Sequence, residues 1–269
     1  LVSVHEDQAA GLRRLFAARH APIVAVAGAR GAADQSAATV LIARECVAAG
    51  SRVVIIDEQA VPEGVAPILG AAVRYDLLQA LNGDAKPSQV VLHAEEGIRL
   101  LPAARFARQT QALAAHQQRA LAEMMRGVQK GADVILVNTY APRAFSPVAR
   151  AAQHGVVVAA AGSHAATEGF RLVKQLRQGA PAMGIALLCL RAEDKEHSAA
   201  RHLQEVLRQR LAVQAEVHAA DCRGGCPVLS LIHALQGGGS SLSAAGGRGT
   251  PAEPMVYLPR AAAAAARGL

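Results

Sequence analysis

From residue 22 the chain reads PIVAVAGARGAADQSAATVLIARE, an apolar run, a loop of small residues, then a stretch of helical character. In such a setting loop amides and a helix N-terminus can face an anion, so the chemistry to look for is phosphate binding. The complete G-x-x-x-x-G-K-[ST] pattern is absent, and so is G-x-G-x-x-G. Other reactive groups are scattered. Ten histidines include no H-x-x-x-H pair, and no serine lies in a G-x-S-x-G setting. Cys222 and Cys226 are spaced C-x3-C without a second pair of zinc-finger spacing, and Cys46 and Cys189 sit in apolar segments. All four read as reduced thiols, the latter two buried as small hydrophobes.

The elements that would position such a loop are legible from periodicity. Strand candidates are 22–27, 52–57, 97–101, 132–137, 156–160, 184–190 and 212–219, mostly continuous apolar runs as expected of strands buried on both faces. Helical patterns fall between them, over Ser36–Ala49, Gln109–Lys130 and Ala165–Gln178, and the two-signed segment 193–210 reads as a solvated helix face. This alternation predicts an α/β fold, a mostly parallel sheet with helices on both faces. Residues 1–20 form a lead whose Ala9, Leu12 and Phe16 fall at i, i+3 and i+7, one apolar helical stripe. Residues 236–269 have flexible Gly/Ala-rich composition, which leaves 21–235 as the α/β domain.

Composition narrows the function classes. Of 269 residues 52% are hydrophobic and 18% charged, enough apolar content to exclude a disordered chain. No apolar run approaches the roughly 18–20 residues needed to span a bilayer, and LVSVHEDQ lacks the features of a signal peptide, so a cytoplasmic location is expected. The formal charge of +7 would suit a polyanion partner. Yet 24 of the 28 basic residues are Arg, scattered along the chain with Arg13–Arg14 the sole adjacent pair. Without a basic stripe interleaved with aromatics, nucleic-acid binding is not expected.

Several stretches, covering about residues 5–235, resemble the MinD/ParA group of P-loop ATPases, and within it the FlhG (FleN) family of flagellar-number regulators. DQAAGLR (7–13) is similar to that family's N-terminal D-Q-A-x-x-L-R motif. GARGAADQS (28–36) stands where the group has S-G-K-G-G-V-G-K-T, VVIIDEQ (53–59) where it has V-L-L-D-A-D, and ADVILVNT (132–139) where it has Y-D-x-x-I-V-D-T. GIRLLPAA (97–104) and HAATEGFRLVK (164–174) match further group segments in order. The resemblance implies a MinD-like three-layer sandwich.

It also implies a nucleotide site, made of Gly28, Arg30, Gly31, Gln35, Ser36 and Asp57, that has been altered. Arg30 replaces the signature lysine and Gln35 the P-loop lysine, while Gly31 and Asp57 are kept and Ser36 conserves the magnesium-binding hydroxyl. Gln59 replaces the aspartate that orients water, Asn138 the Walker B aspartate, and Cys189 the adenine-reading asparagine. Ala32 and Asp34 stand where the group has glycines. Gln35 removes a cation from the β- and γ-phosphates, Asn138 removes charge from the magnesium shell, and Asp34 should repel phosphate. Ala32 and Asp34 also add Cβ atoms where the backbone can need φ > 0. Each lost charge-assisted bond is worth roughly 1.5–3 kcal/mol. The expectation is a pseudo-ATPase with no cofactor; ATP and magnesium would enter only if the site works as a rearranged, slow ATPase.

The N-terminal motif is intact. In the family it stimulates the GTPase FlhF, so Asp7, Gln8, Leu12, Arg13 and Phe16 are the partner-binding residues that the resemblance implies, docking as a helix in a groove. Expected partners are an FlhF-type GTPase and flagellar C-ring components. PVLSLIHAL (227–235) lacks the basic polar face of a membrane-binding helix, so membrane binding is expected to be weak or absent, with recruitment to the inner membrane or flagellar base through partners. The oligomeric state is left open. A non-flagellar MinD-like secretion adaptor is the remaining alternative, against which DQAAGLR argues.

Overall fold

A computed structural model describes residues 21–28, 32–109, 112–139, 145–159, 165–190 and 194–219. The N-terminal motif with Asp7, Gln8, Leu12, Arg13 and Phe16, the loop residues Arg30 and Gly31, Cys222, Cys226, PVLSLIHAL and the Gly/Ala-rich tail lie outside the described residues.

Eight strands form one sheet: β1 (Ile23–Gly28), β2 (Val53–Asp57), β3 (Leu92–Glu95), β4 (Ile98–Pro102), β5 (Val134–Asn138), β6 (His154–Ala159), β7 (Gly184–Cys189) and β8 (Ala215–Ala219). Their order is β3-β4-β2-β5-β1-β6-β7-β8. Every pairing is parallel except β3 with β4, an antiparallel edge. The helices are α1 (Ala32–Ala48), α2 (Leu77–Asn82), α3 (Pro87–Val90), α4 (Ala104–Arg108), α5 (Ala115–Lys130), α6 (Pro147–Arg150), α7 (Ala165–Gly179) and α8 (Asp194–Leu211).

The two faces of β1 show why the central strands are apolar throughout. Ile23, Ala25 and Ala27 face one core, filled by Leu121, Met125 and Val128 of α5, Leu172 and Leu176 of α7, and Leu203 and Leu207 of α8. Val24 and Val26 face the other, covered by Val40, Ile42, Ala43 and Cys46 of α1 and by Val65, Ala66 and Leu69 of the segment after β2. Side chains alternate faces along a strand, so burial on both sides removes any polar alternation. The α/β expectation, a mostly parallel sheet between helical layers, is borne out.

Local departures have local causes. The helix expected from Gln109 starts at Ala115, because Gln109 is the C-cap of α4 and residues 112–114 are not helical. The strand expected from residue 212 starts at Ala215, because Ala212 turns the chain with φ 51°. The edge strand β3 went unread. Its four residues LHAE carry too little apolar signal, and the turn before β4 depends on Gly97 at φ 77°. α1 begins at Ala32, four residues before the expected start. Ala32 and Asp34 are therefore helical, not strained loop residues, and Asp34 is exposed in the first turn, where a carboxylate favours the helix dipole. That corrects the expectation that these two positions distort the loop.

Cys46 and Cys189 are buried, as expected, and burial pushes the Cys46 thiol up to about 12. Cys189 ends β7 and packs with Ala159 and Ala200. Among the described residues no helix is long and apolar enough to cross a membrane.

A candidate nucleotide site closed by its own side chains

The order of the sheet reverses at β1, which lies between β5 and β6. In parallel α/β sheets the crevice at the carboxyl ends of the strands around such a point is where ligands bind. Register delivers the candidate residues there. Asp57 pairs with Asn138 across β2 and β5, Val26 pairs with Asn138 across β1 and β5, and Gly28 ends β1. Helix α1 adds Gln35 and Ser36 from its first turns, both 0% exposed.

These residues bond to one another. The Gly28 N–H donates to Gln35 Oε1 at 2.9 Å. Gln35 Nε2 donates to Asn138 Oδ1 at 2.7 Å and to the Thr139 carbonyl at 2.8 Å. Asn138 Nδ2 donates to Asp57 Oδ1 at 2.8 Å and to Ser36 Oγ at 3.0 Å. The Ser36 hydroxyl donates onward to the Glu63 carbonyl at 2.7 Å. The ends of this relay fix its polarity. A backbone N–H can only donate and an ionised carboxylate can only accept, so each amide between Gly28 and Asp57 has one allowed orientation.

The pair is also chemically specific. A lysine at position 35 could not accept the Gly28 N–H, because an ammonium has no acceptor. Glutamine turns that amide inward and uses both protons of its own NH2. Relative to the lysine and aspartate that the resemblance implies, Gln35 and Asn138 remove one charge of each sign. No net charge is added to a fully buried place, where an unpaired ion is costly.

Asp57 is 3% exposed. Burial raises its pKa, opposed first by the Asn138 hydrogen bond and then by backbone amides that include Val65 and Gln59. The Val65 N–H reaches Oδ2 at 2.8 Å and the Gln59 N–H reaches Oδ1 at 3.1 Å. Gly64 packs directly on this carboxylate, since a Cβ there would come within 2.4 Å of Asp57 Oδ2. Gln59 is 9% exposed, and its Nε2 has no hydrogen-bond partner. The structure thus brings together Gly28, Gln35, Ser36, Asp57, Asn138 and the Gln59 backbone.

Sequence reading missed Glu58, which stands where the family has alanine. Its side chain is 5% exposed and accepts from Thr139 Oγ1 at 2.5 Å and from the Ser146 hydroxyl, the N-cap of α6. Burial lifts its pKa to about 7, countered by those two hydroxyls and reinforced by the neighbouring Asp57 charge. A glutamate directly after the strand-end aspartate was the available signal. Its two partners lie 81 and 88 residues away, which no local pattern encodes.

A groove of about 650 Å³ opens elsewhere, lined by residues including Leu81, Val91, Arg99, Met124 and Val128, none of them from the site. Among the described residues no group of His, Cys, Asp and Glu is arranged to hold a metal ion.

No family model matches the sequence. The antiactivator FleN of Pseudomonas aeruginosa (strain PAO1) is 26% identical over 158 residues, 58% of this chain and 56% of that protein. The chain thus matches about half the length of this curated relative. Three solved structures share the fold. The MinC:MinD cell division complex of Aquifex aeolicus matches with TM-score 0.58 and 16% identity, covering 81% of this chain and 86% of that one. A plasmid partition protein from Borrelia burgdorferi gives 0.57 and 12%, covering 81% and 97%. Cobyrinic acid a,c-diamide synthase from Mycobacterium smegmatis, with bound ATP analog and magnesium, gives 0.57 and 17%, also covering 81% and 97%.

Proposed function

We propose, from the chain's place with FleN-like proteins of the MinD/ParA family, that it is a nucleotide-independent regulator of flagellar number and placement. The observation that carries this reading is the buried Gln35–Asn138 amide pair. It occupies the positions of the phosphate-binding lysine and the Walker B aspartate, and it consumes the Gly28 amide and the Ser36 hydroxyl internally. Nucleotide would have to break this relay before meeting the loop, and it would find no lysine there. Hydrolysis would also lack the carboxylate that Gln59 replaces, and a lost positioning group commonly costs about 10²–10⁴ in rate.

Regulation then falls to the N-terminal motif. In this reading Asp7, Gln8, Leu12, Arg13 and Phe16 dock on an FlhF-type GTPase and raise its turnover, Leu12 and Phe16 as apolar anchors and Gln8 helping to order the attacking water. The similarity to FleN favours this flagellar reading over a secretion adaptor.

Two measurements on the purified full chain test it. Titration with Mg–ATP should give no saturable binding in the micromolar range and no phosphate release; micromolar affinity with magnesium-dependent turnover would establish the slow ATPase instead. Added to an FlhF-type GTPase, the chain should accelerate GTP hydrolysis with or without ATP. Equal acceleration by the Gln8→Ala variant, or none by the native chain, would sink the partner assignment.

A further inference from the structure

The segment following β2 is attached to the site at several points. The Glu58 N–H bonds the Asn138 carbonyl at 2.9 Å. The Gln59 and Val65 amides bond the two oxygens of Asp57. The Glu63 carbonyl accepts from Ser36 at 2.7 Å, and Gly64 lies against the Asp57 carboxylate. Glu63 and Gly64 also donate to the Ala60 carbonyl, closing a turn within the segment. Val65, Ala66 and Leu69 anchor it in the core on the α1 side. The three exposed large apolar side chains of the described residues fall on or just beyond it, Val61 between the ties to Asp57, and Ile68 and Val73 after Ala66.

We infer that residues 58–66 form a strap which the Gln35–Asn138 relay holds in one conformation without nucleotide, so that this surface does not switch. The inference rests on the proposed reading that side chains close the site. Its cause is the shared use of Asn138. One amide group bonds Gln35 through its oxygen, and Asp57 and Ser36 through its nitrogen. Asp57 and Ser36 are the two side chains that grip the strap. A segment that waits for a γ-phosphate must exchange one set of bonds for another when the ligand arrives, and ligand can only shift an equilibrium by its differential affinity for the two states. Here the ordered set is already complete, made from residues of β2, β5 and α1.

Hydrogen exchange on the full chain, with and without millimolar Mg–ATP, tests this, because exchange reports local opening. Peptides covering 59–66 should be protected to the same degree in both conditions. Ser36→Ala removes the grip on Glu63 and should speed exchange there about five- to tenfold, the loss expected for one hydrogen bond. Asn138→Ala should act more strongly, while peptides from β7 keep native rates in both variants. If Asn138→Ala does not fold, Ser36→Ala against Ser36→Thr gives the same comparison, with Thr restoring protection. Free exchange of 59–66 in the native chain, or protection that appears only with nucleotide, would overturn the inference. Saturable ATP binding with unchanged exchange would overturn the functional reading and leave the strap intact. Absent ATP binding with an unprotected strap would do the reverse.

Discussion

Two buried polar clusters lie one residue apart along the ends of β2 and β5, and they handle charge in opposite ways. On one side Gln35 and Asn138 form a neutral pair whose donors are all used and whose orientation is fixed from Gly28 to Asp57. On the other side Glu58 puts an ionisable carboxyl against Thr139 and Ser146. The first cluster lacks the charges that a nucleotide site needs. The second carries one that the family's alanine would not. The neutral pair should be indifferent to pH, whereas the Glu58 cluster stays tied to its protonation state, because burial penalises only the charged form.

The largest expected effect comes from putting a single charge back into the neutral pair. Gln35→Lys strands an ammonium at a fully buried position, against Asn138 and a Gly28 amide it cannot accept. It should cost about 3–5 kcal/mol by urea denaturation. Adding Asn138→Asp should recover a substantial part of that loss. A double variant as unstable as the sum of the single ones would show that the two positions are not a matched pair.

Next comes the charged side. Glu58 has a native pKa of about 7 against 4.5 for the free group. The folded state therefore holds this proton more tightly than the unfolded chain. Its stabilising contribution is full below pH 4.5 and is lost as pH rises to about 7, a difference of about 3 kcal/mol. Burial of Asp57 pushes in the same direction. Glu58→Gln should flatten the fall in Tm between pH 5 and 7, leaving the Asp57 share and the opposing one of His154, whose pKa burial lowers. An unchanged profile would place the titration elsewhere.

Gly64→Ala probes the floor of the relay. Its Cβ would strike Asp57 Oδ2, so it should destabilise by about 1–3 kcal/mol and loosen the strap in the same hydrogen-exchange assay. The smallest effect is expected at Gln59. Its Nε2 is buried without a partner, so Gln59→Met should be neutral or stabilising by up to about 1 kcal/mol in thermal unfolding. A clear loss would mean that this amide has a partner in solution.

Much of the site was legible before the fold. A strand ending at Asp57, a strand ending one residue before Asn138, and a helix starting at Ser36 directly after Gln35 follow from apolar runs and helical periodicity, and the resemblance to MinD/ParA-group motifs marks these positions. The same residues supported the altered-site reading. The start of α1 was less legible, because Ala and Gly suit both a loop and a first helical turn, and this placed Ala32 and Asp34 wrongly. Glu58 was hidden for a different reason. A residue that follows a strand carries no periodic signal, and its environment is built by Thr139 and Ser146.

The sequence by itself determined which chemical groups are present: a glutamine for a lysine, an asparagine for an aspartate, and strands apolar enough to be covered on both faces. Only the tertiary structure decided what those groups do with one another. Gln35 and Asn138 are 103 residues apart in the chain, and the β1–β5 register together with the packing of α1 on β1 and β5 brings them to 2.7 Å. Periodicity reads the face a residue occupies, but a buried hydrogen bond depends on distance and orientation across strands, which only the packed sheet supplies.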